Sequence, residues 1–171
     1  VVRALQQMVA EDDGVKAIVF SQWTTMLSVV GDALGTAGLE YVRLDGTMSS
    51  NERAAAVDAF KERDSLRIFL VSLKVGALGL NLTAASRVFM MDLWWNPAVE
   101  EQAFDRVHRI GQSRAVAIER LVIRDSVEER LLAVQALKAR MADRVLSYAD
   151  ANASVRSRRA LGDGELAAVF G

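Results

Sequence analysis

Cysteine is absent from the 171-residue sequence, which holds a single histidine and a single proline. Without thiols the chain has neither disulfides nor thiolate metal ligands, and one histidine excludes a multi-histidine centre. We therefore expect no metal site in this chain. No apolar run reaches the roughly 18 residues of a membrane span, and no basic segment followed by an apolar stretch opens the chain, so neither a membrane helix nor a secretory signal is predicted.

The chain also has no large excess of positive or negative charge. The chain carries 21 Lys and Arg against 22 Asp and Glu, for a formal net charge of −1. A phosphate-binding surface must then come from the local placement of basic residues and not from bulk charge. Apolar residues make up 51% of the chain, which is enough to bury the core of one ordinary domain.

Short apolar runs alternate with longer amphipathic segments along the chain. Such runs predict buried parallel strands, and strands that alternate with helices predict an α/β fold with a doubly wound parallel sheet. Ligands of these sheets bind outside the carboxyl ends of the strands, so the residues after Phe20, Leu44, Ser72 and Asp92 are of interest. The five predicted strands are Lys16–Phe20, Tyr41–Leu44, Arg67–Ser72, Arg87–Asp92 and Ala117–Ile123.

Helical spacing of apolar residues marks the segments between these strands. The first predicted helix, Trp23–Thr36, buries Met26, Leu27, Val30 and Leu34. The second is capped by Ser49 or Ser50 and turns Ala54, Val57 and Phe60 inward. A third covers Val99–His108. A long C-terminal helix begins at Asp125 or Ser126, with an apolar stripe at Val127, Leu131, Val134, Leu137 or Lys138, Met141 and Val145.

These patterns predict one lobe over residues 1–148, followed by a linker and a short docking helix over residues 149–171. The linker is small, polar and basic, and the apolar side of Asp163–Phe170 is expected to pack back on the lobe. Because a structured pattern begins within about ten residues of Val1, we expect the chain to be a piece of a longer protein.

Two arginines three residues apart, Arg106 and Arg109, are the first candidates for chemistry. On a helix or tight turn both guanidinium groups can point the same way. Two forked donors aimed at one place suit a phosphate whose charge grows in a transition state. Surface ion pairs with Glu101 or Asp105 are the alternative that the spacing leaves open.

Four loops after the predicted strands carry further candidates, each with a plain structural alternative. Ser21 can cap a helix, Asp45-Gly46 can be an ordinary turn, and the GALGL run can be a helix start. Glycines in that run, Gly76 and Gly79, permit close backbone approach to a ligand. Of the two neighbouring tryptophans, we expect one to pack in the core, with Pro97 starting a helix.

Five motifs taken together give a specific resemblance. They are VFSQW, LDGTM, SLKVGALGLNLT, WWNP and QAFDRVHRIGQ. In this order the chain resembles the C-terminal, RecA-like helicase lobe of Swi/Snf-type ATPases, which are superfamily-two DNA translocases. The resemblance covers Lys16 to Leu146. SQWTTML and the DGELAAVFG ending look most like the subgroup of the helicase-like transcription factor and its fungal post-replication repair relatives.

The resemblance implies roles for individual residues. Arg106 and Arg109 would be arginine fingers that reach the γ-phosphate of ATP held, with Mg²⁺, mainly by the N-terminal lobe. Gly76, Gly79, Gln102 and Gln112 would lie at the nucleotide. The implied contacts with duplex DNA are Ser21, Gln22, Asp45, Gly46, Ser72, Lys74, Asn81, Trp95 and Asn96.

The sequence lacks both a GxxxxGK[ST] phosphate loop and an acidic DExH-type segment, which belong to the N-terminal lobe in this family. By itself the chain is therefore expected to bind ATP without hydrolysing it. The implied partners are duplex DNA, the N-terminal lobe of the same protein and nucleosomes, with no membrane. The implied location is the nucleus in a eukaryote and otherwise the cytoplasm.

Three other functions compete with a motor lobe. A degenerate lobe would serve as a non-catalytic nucleic-acid-binding scaffold, which the intact Arg106, Arg109 and Gln102 disfavour. A flavodoxin-like or dinucleotide-binding domain predicts GxGxxG after the first strand, where SQWTTM stands instead. An RNA helicase lobe fits WWNP and HRIGQ less well than a DNA translocase does.

Overall fold

The computed structural model describes residues 1–76, 79–138 and 141. Five strands and the helices around them follow one another in the alternation that the sequence predicts. The strands are β1 (Ala17–Ser21), β2 (Tyr41–Leu44), β3 (Ile68–Ser72), β4 (Arg87–Met90) and β5 (Ala117–Arg120). The helices are α1 (Val2–Glu11), α2 (Thr24–Thr36), α3 (Ser50–Glu62), α4 (Leu73–Gly76) and α5 (Pro97–Phe104).

All five strands belong to one parallel sheet with the order β2-β3-β1-β4-β5. Every residue of β1 and β3 is buried, because both strands lie inside the sheet and helices cover both faces. Most residues of β5, the edge strand, are exposed. Its pairing stops at Arg120, so the predicted strand to Ile123 is three residues too long.

Two apolar layers sandwich the sheet. Ile18 and Phe20 of β1 face the layer that holds α3 and α5, whereas Ala17 and Val19 face the layer that holds α1 and α2. This alternation follows from the two-residue period of a strand. Helices on both faces of a parallel sheet confirm the predicted doubly wound α/β fold.

Local signals explain where the helices begin. Ser49 caps α3: its Oγ accepts from the Glu52 backbone N at 3.3 Å, while the Ser49 N–H donates to Glu52 Oε2 at 2.7 Å. Asn96 accepts from Ala98 N ahead of α5, and Pro97 is the first helical residue, as predicted.

The helices differ from the sequence prediction in detail. Met26 of α2 is 37% exposed, whereas Leu27, Val30 and Leu34 of the same helix are buried. In α3 the inward alanine is Ala56, and the predicted Ala54 is exposed. The third predicted helix runs over Pro97–Phe104 and gives way to turns before His108. The helix α1 was not predicted.

The chain divides into two compact units, Val1–Glu129 and Arg130–Gly171. A sixth helix, α6, covers residues 127–138, and Ser126 Oγ accepts from Glu128 N before it. Val127, Val134, Leu137 and Met141, from the predicted apolar stripe, are exposed. The predicted boundary at residue 148, the linker and the docking helix Asp163–Phe170 lie outside the described residues.

Candidate functional site

A groove runs along the carboxyl edge of the sheet, where the structure brings four of the predicted DNA contacts together. One pocket of about 390 Å³ is lined from the ends of β1, β2 and β3. A second pocket, of about 260 Å³, shares Gln22, Lys74 and Trp94 with the first and adds Gln102 of α5. We call these two pockets together the carboxyl-edge groove. The predicted DNA contacts in its wall are Gln22, Gly46, Ser72 and Lys74.

The loop after β1 is fixed by a buried carboxylate. Asp92 accepts the hydroxyl of Ser21 and, at 2.9 Å, the backbone N–H of Gln22. Ser21 in turn accepts from Trp23 N at 3.0 Å. Ser21 is therefore not the cap of α2, contrary to the plain alternative, because the N-cap is Trp23 and no side chain caps this helix. The first turn of α2 contains no acidic residue, and its Thr24 and Thr25 line the larger pocket of the groove.

The turn after β2 is organised by Asp45, which is buried. Its Oδ1 accepts from Thr47 N at 2.9 Å and from Thr47 Oγ1 at 2.6 Å, and its Oδ2 accepts from Arg43 Nε at 2.8 Å. The Thr47 hydroxyl, followed by the Thr47 backbone N–H and Arg43, holds the pKa of Asp45 below its usual value despite burial. Asp45 thus faces inward as a carboxylate, and Gly46 forms the exposed tip of the turn.

The loop after β4 places one tryptophan inside and one outside. Trp94 packs against the core, as predicted for one of the pair, and Trp95 is 60% exposed. Glu100, fully buried, fixes the loop because its Oε1 accepts from Trp94 N at 2.7 Å and its Oε2 from Arg120 Nε at 3.0 Å. Asn96 is half-buried and uses its side-chain oxygen to cap α5.

The turn after α5 carries the two arginines. Arg109 is exposed and Arg106 is half-buried. Within the described part of the chain neither forms an ion pair, so the alternative of surface pairing with Glu101 or Asp105 is absent there. The Nε of Arg106 is buried without a hydrogen-bond partner among these residues. Such a donor costs free energy until an acceptor reaches it.

Gln112 stabilises the turn after α5 that carries Arg106 and Arg109, which we call the arginine turn. Its Nε2 donates to Ala85 O at 2.7 Å, Thr83 O at 3.2 Å and Val107 O at 3.3 Å. All of these bonds are internal, so the Gln112 amide group holds the turn in place. Gly111 has a φ of +101°, a conformation that suits glycine at the bend.

The described residues after β3 lie in two places. Lys74 lies at the groove, and the backbone N–H of Leu82 donates to the carbonyl of Arg106 at 3.0 Å. Gly79 is exposed with a φ of +48°, and Gly76 ends α4. Asn81 accepts from Thr83 N at 3.2 Å and Thr83 Oγ1 at 2.8 Å, which shapes the approach to β4.

A scan against protein families matches residues 1–111 to the model described as helicase conserved C-terminal domain. The chain belongs to this family. Among its relatives, the DNA repair protein RAD5B of Arabidopsis thaliana is 49% identical over 139 residues, which cover 81% of this chain and 11% of that protein. The DNA repair protein RAD5 of Gibberella zeae is 50% identical over 136 residues, covering 80% and 12% respectively.

A solved relative carries the same fold. The crystal structure of the C-terminal part of the Fun30 ATPase domain matches this helicase C-terminal domain with a TM-score of 0.73 and 34% identity, over 78% of this chain and 44% of that one. The resemblance to Swi/Snf-type helicases and the RecA-like lobe are thereby confirmed. The chain spans 11% to 14% of the length of the first curated relatives that it matches.

The candidate residues of the helicase C-terminal domain lie at two different ends of the sheet. Gln112 bonds to the residues that lead into β4, and its neighbour Arg114 pairs at 3.0 Å with Asp12, which precedes β1. The arginine turn thus lies towards the amino ends of the strands. The rule that places ligands at carboxyl ends locates the predicted DNA contacts of the groove but not Arg106 and Arg109.

Three residues of the helicase C-terminal domain are candidates for function that the sequence analysis did not name as site residues. Asp92 and Glu100 hold the backbone of the two loops beside the groove, and Trp23 lines the larger pocket with an exposed ring. Asp92 was visible as an acidic residue at a strand end. Its link to Ser21 spans 71 residues of sequence, and no local spacing reveals it.

Neither a metal centre nor a membrane helix is found in the described residues. Residues 1–76, 79–138 and 141 contain no group of three or more His, Asp or Glu side chains placed to hold a metal ion. No helix among these residues has both the length and the apolar character needed to cross a bilayer.

Proposed function

We propose that this chain is the second motor lobe of an ATP-dependent translocase on double-stranded DNA. Arg106 and Arg109 act as arginine fingers on the γ-phosphate of ATP that a separate N-terminal lobe holds with Mg²⁺. The carboxyl-edge groove carries the backbone of the DNA strand that the motor follows. Family membership and the DNA repair relatives support this proposal.

The observation that carries the proposal is the state of the two arginines. Both lack ion pairs within the described residues, and the buried Nε of Arg106 lacks an acceptor. A phosphoryl oxygen supplies that acceptor and neutralises both guanidinium groups. Arginine fingers accelerate phosphoryl transfer about 10³–10⁵-fold, which corresponds to about 4–7 kcal/mol.

The DNA side of the proposal assigns two kinds of role. Gln22, Gly46 and Lys74 contact the DNA backbone from the groove, with Trp95 and Asn96 in the loop after β4. Asn81 directly precedes Leu82, which contacts the arginine turn, so its assignment to DNA follows from the resemblance and not from the groove. The uncapped first turn of α2 adds backbone N–H groups suited to a phosphate. Ser21 and Asp45 are buried and hold the loops after β1 and β2 through their hydrogen bonds, and Ser72 is buried in the wall of the groove.

At the nucleotide end, the exposed backbone of Gly79 and the end of α4 at Gly76 approach the phosphates. Gln102 is four residues before Arg106 but lines the smaller pocket of the carboxyl-edge groove, so its assignment to the nucleotide follows from the resemblance and not from its position. Gln112 keeps the arginine turn in register through its three carbonyl contacts.

Closure of the lobes follows from these placements. Arg106 and Arg109 gain phosphate contacts only when the two lobes meet, and lose them once the γ-phosphate has left. Lys74 lies at the groove and Leu82 bonds to the arginine turn, and these two residues couple the hold on DNA to the nucleotide. Phosphate contacts make DNA binding salt-dependent with little sequence preference.

Without a phosphate loop or an acidic magnesium-binding segment, the chain alone binds ATP and does not turn it over. In the complete protein the motor remodels nucleosomes or stalled replication forks. In a eukaryote it works in the nucleus.

The test is the Arg109→Ala variant of the protein that contains both lobes. We expect ATP binding to stay nearly intact and DNA-stimulated hydrolysis to fall about 10³-fold or more. Arg114→Ala is the matched control, because this arginine lies close to the same turn but pairs with Asp12 in a solvent-exposed contact that contributes little to stability.

Normal turnover in Arg109→Ala would refute the finger assignment. Stimulation by RNA in place of duplex DNA would indicate an RNA helicase lobe. A complete protein that binds DNA and shows no stimulated hydrolysis would favour the non-catalytic scaffold.

A further inference from the structure

Trp23 is an exposed aromatic side chain that the proposed function leaves without a role. Its side chain is 59% exposed, although a tryptophan ring carries one of the largest apolar surfaces of any residue. It lines the larger pocket of the carboxyl-edge groove together with Gly46, Ser72 and Lys74. A large apolar ring at the edge of a polar groove marks a contact surface for a ligand.

The backbone of Trp23 is held firmly. Its N–H donates to Ser21 Oγ at 3.0 Å, and Ser21 is itself anchored on the buried carboxylate of Asp92. Its carbonyl accepts from Leu27 N at 3.2 Å and begins the hydrogen bonding of α2. Little backbone freedom is therefore lost when a ligand covers the ring.

Two kinds of occupant fit an exposed apolar ring on a helix. Met26 and Val29 continue from Trp23 along α2 with 37% and 63% exposure, which on its own suits a protein partner. The pocket beside Trp23 is lined, however, by threonines, by Gly46 and by Lys74, and Lys74 has no ion pair in the described part of the chain. A cation in a polar pocket next to an aromatic ring favours a nucleotide strand.

We propose that Trp23 packs its indole ring against a deoxyribose of the DNA strand whose phosphate Lys74 holds. The sugar is the apolar face that a backbone-tracking protein meets, since the bases of a duplex stay stacked. This inference rests on the proposed function, because it takes DNA as the occupant of the groove. It adds a contact that is apolar and therefore releases no counterions.

The consequence is a separable contribution to DNA affinity. Removing Lys74 should reduce the slope of log affinity against log salt by about one, because one phosphate contact is lost. Removing the indole of Trp23 should weaken binding about tenfold at every salt concentration and leave that slope unchanged.

The experiment measures duplex binding by fluorescence anisotropy across a salt series for wild type, Trp23→Ala, Trp23→Phe, Lys74→Ala and Val29→Ala of this chain. Val29→Ala is the matched control, because it removes a similarly exposed apolar side chain from the same helix, about one turn beyond Thr25, the last residue of α2 that lines the groove. Circular dichroism melts check that each variant is folded. We expect about tenfold weaker binding for Trp23→Ala, partial retention for Trp23→Phe and wild-type binding for Val29→Ala.

A second readout uses Trp23 itself. The chain has three tryptophans, and Trp23→Phe removes only this one. Duplex DNA should protect part of the wild-type tryptophan fluorescence from acrylamide quenching, and that protected part should be missing in Trp23→Phe.

Wild-type binding by Trp23→Ala would overturn the proposal and leave the exposed apolar side of α2 to a protein partner. An equal loss in Val29→Ala would also overturn it, because the effect would then belong to α2 as a whole and not to the Trp23 ring. In either case, a reduced slope of log affinity against log salt for Lys74→Ala would still support DNA binding in the carboxyl-edge groove. A wild-type chain that does not bind duplex DNA would overturn both this inference and the proposed DNA function.

Discussion

At the scale of single residues, basic side chains fall into two groups. Arg67 donates to three backbone carbonyls around the end of α1, and Lys16 to carbonyls at the end of α3, so both stabilise the fold. Lys74 and Arg109 have no ion pair within the described residues. Buried or paired cations serve stability, whereas these two are available to phosphates.

Asp45 gives a prediction for acid stability. Its pKa lies below the usual 3.8, so its folded form prefers the carboxylate. That preference contributes stability above the unfolded pKa, and the contribution is lost as the pH falls through the lower folded pKa. We expect Asp45→Asn to lower the free energy of unfolding at neutral pH by about 1–3 kcal/mol and to flatten its decline below about pH 4.

Urea unfolding between pH 2 and pH 7 measures this difference. Asp58→Asn, which removes a carboxylate from the exposed side of α3, is the control. An Asp45→Asn profile parallel to that of the wild type over the whole range would contradict the role of Asp45.

At the scale of elements, the sequence predicted the strands well because continuous apolar runs have few other structures available. Helix faces were harder. Three successive alanines, residues 54 to 56, give no periodic signal, and only packing decides that Ala56 faces inward. The candidate site shows the same difference. The position of residues at strand ends could be predicted from the sequence, whereas the anchoring of Ser21 by Asp92 arises from tertiary pairing and has no local signature.

Two glycines of α2, Gly31 in the middle of the helix and Gly35 in its last turn, can be compared directly. A Cβ on Gly31 would lie 2.6 Å from Tyr41 Oη and 2.9 Å from its Cζ, whereas a Cβ on Gly35 would meet nothing within 4 Å. Gly31→Ala should therefore destabilise the domain by about 1–3 kcal/mol, and Gly35→Ala should stabilise it by about 0.5–1 kcal/mol. Thermal denaturation measures both. Equal effects of the two substitutions would show that the contact between α2 and β2 is looser than described.

At the scale of the whole molecule, the lobe has candidate surfaces at two ends of its sheet. The carboxyl-edge groove lies at one end, the arginine turn lies towards the other, and the backbone N–H of Leu82 donates to the carbonyl of Arg106. In the proposed motor, the groove holds DNA while the arginine turn meets a nucleotide that another lobe presents.

A structure of the two-lobe protein with duplex DNA, ADP and a planar fluoride analogue of the γ-phosphate tests this most directly. The quantity to measure is the distance from the guanidinium nitrogens of Arg106 and Arg109 to the fluoride group. We expect hydrogen-bond distances of about 2.7–3.2 Å for both arginines. Both guanidinium groups turned into solvent, with the analogue fully coordinated by the other lobe, would contradict the account.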